Sequence, residues 1–152
     1  MIKLKLFFIS ILLTLLTGCA STSTVLMASF EEDTIAKQFT ADPSRVHIYL
    51  YRNSSLLSSS KDIPVLLDRQ TAGRTAPGTY LYWTVNPGKH EIISLTPSVS
   101  KITIDTKLGR NYYIWQEVSM DYILGKSKLH EVSEEEGIKR VKECKLANSK
   151  TR

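Results

Sequence analysis

Two cysteines, three histidines and the loop serines are the side chains of this 152-residue chain best able to form or break bonds, and their spacing limits what they can do. His47, His90 and His130 fall in different segments with no pair at i, i+2 or i+4, so no metal-ligand spacing is present. The serines cluster in loops, where Ser58-Ser59-Ser60-Lys61 is read as loop rather than as a nucleophile beside its base. The sequence contains no G-x-S-x-G elbow, no glycine-rich phosphate loop and no Cys-x-x-Cys. This pattern points away from an enzyme, and no cofactor is expected. Cys144 reads as a half-buried thiol without a chemical role, with pairing between chains as the alternative. Cys19 stands differently, because it follows Leu16-Thr17-Gly18 directly at the end of an apolar run.

The segment ahead of Cys19 explains its placement. Lys3 and Lys5 give a positive start, and Leu6 to Leu16 is apolar except for Ser10 and Thr14, which together read as an export signal. The run falls well short of the ~20 apolar residues of a membrane span, so no transmembrane helix is expected in the mature chain. Leu16-Thr17-Gly18-Cys19 resembles the lipobox of bacterial lipoproteins. The resemblance implies that the Cys19 thiol is alkylated with diacylglycerol, that cleavage falls just before it, and that the new amino group is acylated. One acyl chain is a marginal anchor, whereas two or three hold effectively permanently. Ala20 follows where an aspartate would resemble an inner-membrane retention signal. The expected address is therefore the outer membrane, on its periplasmic face, with membrane lipid as the first partner.

Cleavage before Cys19 removes two of the 20 basic residues and none of the 15 acidic ones, so the formal charge falls from +5 to +3. Nucleic acid is not expected as a partner in that compartment. The remaining ~130 residues suit one domain with one core. The boundaries read as signal 1–18, lipidated cysteine and tether 19–28, folded domain 29–147 and a frayed tail 148–152. With Cys19 lipidated, Cys144 has no intramolecular disulfide partner, and packing alone must stabilise the domain.

Ser29 with Glu32 three positions on reads as a capping box. The helix behind it carries Ile35 and Phe39 as its apolar stripe and stops at Asp42-Pro43. From Arg45 the period becomes two, with Val46, Ile48 and Leu50 alternating against His47, Tyr49 and Tyr51. Further strands are predicted over 63–67, 79–85, 90–95, 99–106, 112–118 and 128–132. Turns fall at Asp68 to Gly73, at Ala76-Pro77-Gly78, and at Asn86-Pro87-Gly88-Lys89, where a type II turn would place positive φ on Gly88. Met120 to Lys126 reads as a loop. Ser133 and Glu136 repeat the capping box ahead of a C-terminal helix with a narrow stripe of Ile138, Val141 and Cys144, weakened in its first turn by Gly137. The predicted fold is mainly β, an antiparallel sandwich or open barrel with a short N-terminal and a C-terminal α-helix. Gly109 before Tyr112 resembles the tyrosine corner of Greek-key sandwiches.

Ile48-Tyr49-x-Tyr51-Arg52, Gly73, Gly78-Thr79-Tyr80, Pro87-Gly88-Lys89-His90 and Gly109-x-x-Tyr112-Tyr113 resemble the signature of a domain-of-unknown-function family of short bacterial lipoproteins, over roughly 30–132. The Pro87-Gly88-Lys89-His90 turn is also similar to that of surface-associated modules with a proline-glutamate-glycine-alanine-like turn, which are small sandwiches. Arg69-Gln70 departs from the Asp-Gly turn such a hairpin would carry. The resemblance implies a fold and an address, and no activity.

The alternation puts Tyr49, Tyr51, Tyr80, Tyr82 and Tyr113 on faces opposite the aliphatic residues. Two outcomes follow. If aligned and exposed, these tyrosines form an aromatic surface able to stack on the sugars of peptidoglycan or lipopolysaccharide. If the two helices cover them, the domain is a non-enzymatic module that holds an envelope protein or stabilises an assembly. Lys139, Arg140, Lys142, Lys145, Lys150 and Arg152 make the C-terminal end basic, an arrangement suited to orienting the domain against anionic lipid.

Overall fold

The computed structural model describes residues 25–54, 61–119 and 126–149. The segment read as an export signal and tether, residues 1–24 with Cys19, lies outside the described residues, as do residues 55–60, 120–125 and 150–152. Two helices and nine strands are described: α1 (Phe30–Ala36), β1 (Val46–Arg52), β2 (Ile63–Leu67), β3 (Gln70–Thr75), β4 (Thr79–Val85), β5 (Gly88–Ser94), β6 (Ser100–Thr106), β7 (Asn111–Ser119), β8 (Lys126–Val132), α2 (Glu134–Lys142) and β9 (Lys145–Leu146). One sheet has the order β8-β7-β1-β4-β9 and the other β3-β2-β5-β6. The fold is therefore mainly β, two sheets with a C-terminal helix, as the alternating pattern predicts.

Strand β1 lies at the centre of the larger sheet, and all seven of its residues are buried. Ile48 and Leu50 point into the space between the sheets with Leu81, Trp83 and Ile114, where they meet Val65, Ile92 and Ile104 of the second sheet. Tyr49 and Tyr51 point the other way. Antiparallel register with β4 pairs Tyr49 with Tyr82 and Tyr51 with Tyr80. The neighbour on the other side is parallel, and it pairs Tyr49 with Tyr113 and Tyr51 with Trp115. The sheet is thus mixed rather than wholly antiparallel, since β1–β7 and β4–β9 are both parallel pairs.

Strand β3 was expected as part of a turn. Its residues Gln70 to Thr75 carry one apolar side chain, Ala72, because it is an edge strand of the smaller sheet with few inward positions. The turn shrinks to Asp68-Arg69, whose φ angles of 51° and 65° make a two-residue hairpin of the I′ kind even though an arginine replaces the usual glycine. The type II turn is likewise displaced. At Ala76-Pro77-Gly78-Thr79, Pro77 occupies the second position, Gly78 has φ 72°, and the Thr79 N–H donates to the Ala76 carbonyl at 3.2 Å. Gly88 does take a positive φ, but at 134°, outside the type II value, because it already opens β5 and pairs with Thr106. The Tyr112 hydroxyl accepts from the Lys107 N–H at 2.9 Å, a backbone bond like that of a tyrosine corner.

Helix α1 begins as predicted, with Ser29 and Glu32 forming both halves of the capping box. It ends at Ala36, before Pro43 is reached, and Phe39 lies beyond it at φ 54°. Ile35 is exposed, so the expected Ile35–Phe39 stripe does not form. The reason lies beneath the helix, where tyrosine hydroxyls face it and favour Asp33, Ala36 and Lys37 on the inner side. In α2, the Ser133 hydroxyl caps the Glu136 N–H, while the Glu136 carboxylate accepts from Arg140 Nε at 2.7 Å. Val141 and Cys144 are buried and Ile138 packs beside them, as the narrow stripe predicts.

Both chain boundaries shift outward. Val25 is buried, Met27 bridges to Ala147, and the Ala28 N–H donates to the Leu146 carbonyl, so the fold starts within the expected tether. At the other end, Asn148 donates to the Leu26 carbonyl and Ser149 Oγ to the Tyr82 carbonyl, so these two residues are bonded rather than frayed. Gly137 allows the closure of α2 onto the sheet, since a Cβ there would collide with the Tyr113 side chain. Gly137→Ala tests that contact. In an unconstrained helix the change stabilises by about 1 kcal/mol, whereas overpacking here predicts a loss of ~1–3 kcal/mol and a lower melting temperature. A raised melting temperature would contradict the close approach.

Candidate functional site

The five tyrosines that could have made an aromatic surface do gather on one sheet face, but that face is roofed. Tyr49, Tyr51, Tyr80 and Tyr113 are each at most 1% exposed, and only Tyr82 is half-buried. Of the two outcomes the pattern allows, the covered one is observed: α1, α2 and the 145–149 segment pack on this face. Tyr49 is the centre of the cluster. Its ring stacks on Tyr113 with centroids 5.0 Å apart at 12°, tilts on Tyr82 at 5.0 Å, and meets Phe39 at 5.5 Å.

The polar ends of these rings define the roof's chemistry. Tyr49 Oη donates to the Ala36 carbonyl at 2.8 Å, where α1 ends. Tyr80 Oη donates to Oδ1 of Asp33 at 3.0 Å, and the same oxygen accepts the Leu146 N–H at 2.9 Å. Oδ2 of Asp33 accepts from Nζ of Lys37 at 2.8 Å, and that ammonium also donates to the Cys144 carbonyl at 2.7 Å. Lys37 further lies 5.6 Å from the Tyr80 ring centre. One ion pair thus joins α1, β4, β9 and the end of α2.

Burial dominates the ionisation of this face. It pushes the phenols of Tyr51 and Tyr113 up to about 12, and those of Tyr49, Tyr80 and Tyr82 up as well, with neighbouring phenols or carboxylates adding to the shift. The Cys144 thiol, buried rather than half-buried, is pushed up to about 12 by desolvation first and Glu143 second. Such a thiol is inert, and its Sγ lies 3.7 Å from the Arg52 carbonyl oxygen.

The histidines stay apart. His47 Nδ1 lies 2.7 Å from Tyr82 Oη and 3.2 Å from Thr84 Oγ1, and burial lowers its pKa. His90 bridges Oδ2 of Asp68 and the Asn86 carbonyl, both at 2.8 Å, and His130 Nε2 lies 2.9 Å from Glu117. Among the described residues no group of three His, Cys, Asp or Glu side chains could hold a metal ion. His90, with Asp68, Arg45 and Trp83, lines a cleft of about 550 Å³ beside β3 and β4, floored by the bond from Trp83 Nε1 to the Ala72 carbonyl. Both ring nitrogens of His90 are engaged there, so the cleft does not present a free base. Ser58 does stand three residues before Lys61, the S-x-x-K spacing, which the loop reading passes over. Residues 55–60 lie outside the described residues, and the sequence has neither the S-D-N nor the K-T-G element that accompanies that nucleophile.

A polar chain between the sheets escapes sequence reading altogether. Thr75 Oγ1 donates to Gln116 Oε1 at 2.6 Å, Gln116 Nε2 to Ser94 Oγ at 2.7 Å, and Ser127 Oγ to Ser94 Oγ at 2.8 Å, all buried. It joins β3, β7, β5 and β8 and specifies how the sheets align. The signal available was a glutamine at an inward position of β7. Leu16, Thr17, Gly18 and Cys19, read as a lipobox, lie outside the described residues.

Comparison with known proteins places the chain. Residues 42–128 match the family described as protein of unknown function, DUF2846. An uncharacterized protein of Haemophilus influenzae is 36% identical over 137 residues, covering 89% of this chain and 79% of that relative. No solved structure matches.

The roofed face predicts an alkaline transition. Because the folded state keeps its tyrosines protonated where unfolded tyrosines ionise, near pH ~10, their contribution to stability is complete below that pH and is lost as pH rises through it toward the raised values. Tyrosinate absorbance from this cluster should therefore appear together with loss of the circular dichroism signal. Full ionisation near pH 10 with the fold intact would contradict the burial.

Proposed function

This chain belongs to that family of proteins of unknown function, and from that premise we propose that it is a lipid-anchored lipoprotein of the cell envelope. In this reading Cys19 carries the acyl chains, the domain faces the periplasm from the outer membrane, and its role is to hold a protein partner or stabilise an assembly rather than to catalyse a reaction. The observation that carries it is the run from Lys3 and Lys5 through the apolar Leu6–Leu16 to Leu16-Thr17-Gly18-Cys19, with Val25, six residues on, already buried in the packed domain. The small side chains fit an extended backbone in a protease cleft, and the thiol is the group able to form a thioether. Among the described residues no helix is long and apolar enough to cross a membrane, and the acyl chains supply the attachment.

The choice of an interaction module over a sugar-binding one follows from the tyrosines. Stacking on a sugar needs an accessible ring face, and four of the five rings lie beneath the helices and the 145–149 segment. A partner instead meets the outer sides of α1 and α2, the sheet edges, or the cleft beside Trp83. The reading against catalysis is supported by His90, whose ring nitrogens are both engaged in that cleft, and by the inert Cys144.

Cys19→Ser tests the anchor. A hydroxyl cannot form the thioether, so the variant is expected as a full-length precursor that takes up no palmitate in metabolic labelling, while the parent chain labels. Label retained by the variant would overturn the anchor.

A further inference from the structure

Four of the seven large hydrophobic residues exposed among the described residues fall within ten positions at the anchor end of the domain: Leu26 at 74%, Met27 at 43%, Phe30 at 87% and Ile35 at 58%. Of the others, Leu95 and Val99 lie in the connection between β5 and β6, and Leu108 lies in the turn between β6 and β7. Leu26 and Met27 are fixed by the strand-like bonding of this segment to Ala147 and Asn148, and Phe30 by the capping box of α1. Ile35 cannot turn inward, because the inner side of α1 is committed to Asp33, Ala36 and Lys37.

We infer that Leu26, Met27 and Phe30 enter the membrane leaflet that holds Cys19 and dock the domain on it by its helical side. The inference rests on the lipid anchor proposed above. Val25 follows Cys19 by six residues, and at ~3.5 Å per residue the start of the fold stays within ~21 Å of the anchored cysteine. Exposed apolar side chains on a backbone fixed at that distance meet the lipid surface before they meet any dissolved partner. The surrounding charges are mixed: Lys139 and Lys142 are exposed on α2, on the same side of the sheet as α1, and Glu134 and Glu135 of α2 and Glu143 at its end are exposed there too. Glu31 and Glu32 are the opposing charges beside Phe30, and the Glu32 carboxylate accepts from both the N–H and the hydroxyl of Ser29, which keeps it at the helix end.

The test uses full-length acylated protein reconstituted in vesicles, with an environment-sensitive thiol label at Phe30→Cys and, as control, at Leu108→Cys. Leu108 lies at the opposite end of the sheet, where β1 begins and β4 ends. Cys144 is buried with its pKa raised and stays unlabelled in the folded protein. The label at 30 should be quenched several-fold more than that at 108 by lipids carrying a nitroxide on the acyl chain, and several-fold less by iodide in the water. Equal quenching at both positions, in protein whose intact mass shows the acyl chains, would overturn this inference alone. Protection of position 30 from iodide without nitroxide quenching would put a protein surface or a second copy there and also overturn it. An unacylated Cys19 would remove the anchor and the docking with it.

Discussion

The carboxylate of Asp33 is the constraint on which the helical side of this molecule depends. Both its oxygens are occupied, one by the Tyr80 hydroxyl and the Leu146 N–H, the other by Lys37, which reaches on to the Cys144 carbonyl. The Asp33 and Lys37 side chains are only 20% and 22% exposed. Removing the carboxylate would leave a hydroxyl, an amide and an ammonium short of an acceptor. Each such group costs ~1–3 kcal/mol when fully buried, and partial contact with water lowers that figure. The pair therefore contributes more by fixing geometry than by its own attraction, because it connects residues far apart in sequence at a single point.

That connection turns one sheet into the wall of two cores. Strand β1 presents Ile48 and Leu50 to the second sheet and Tyr49 and Tyr51 to the helices, so neither face meets water. The aliphatic side packs against another sheet, as aliphatic surfaces do. The tyrosine side needs partners for its hydroxyls as well as cover for its rings, and a short helix with a polar inner face supplies both. The exposed side of that helix then carries apolar residues that have no place inside. Ile35 is outward because Asp33, Ala36 and Lys37 are inward.

Much of this was legible in the sequence. Alternation in 46–51 and 79–85 placed the aliphatic and tyrosine residues on their correct faces, and Ser29 and Ser133 marked the start of both helices. The errors have physical causes. Strand β3 was hidden because an edge strand needs few apolar side chains, and its turn was hidden because Arg69 takes a conformation in which glycine is expected. The stripe assigned to Ile35 and Phe39 assumed an apolar surface beneath α1, where hydroxyls are present instead. Whether the tyrosine face was open depended on residues 25–28 and 145–149, whose short stretches carry no periodic signal. Gly137 was read as a weakness in α2, whereas it is the position that admits Tyr113.

The central claim is that the segments at 25–28 and 145–149 are part of one cooperative fold with the tyrosine face beneath them. Native-state hydrogen exchange measures this at the amides of Ala28, Leu146 and Ala147, which donate to the Leu146 carbonyl, to Asp33 and to the Tyr80 carbonyl. These amides are predicted to exchange with the same opening free energy as those of β1, through global unfolding. Exchange by local opening at a small fraction of that free energy would show that the roof lifts by itself, and would return the tyrosines to the surface.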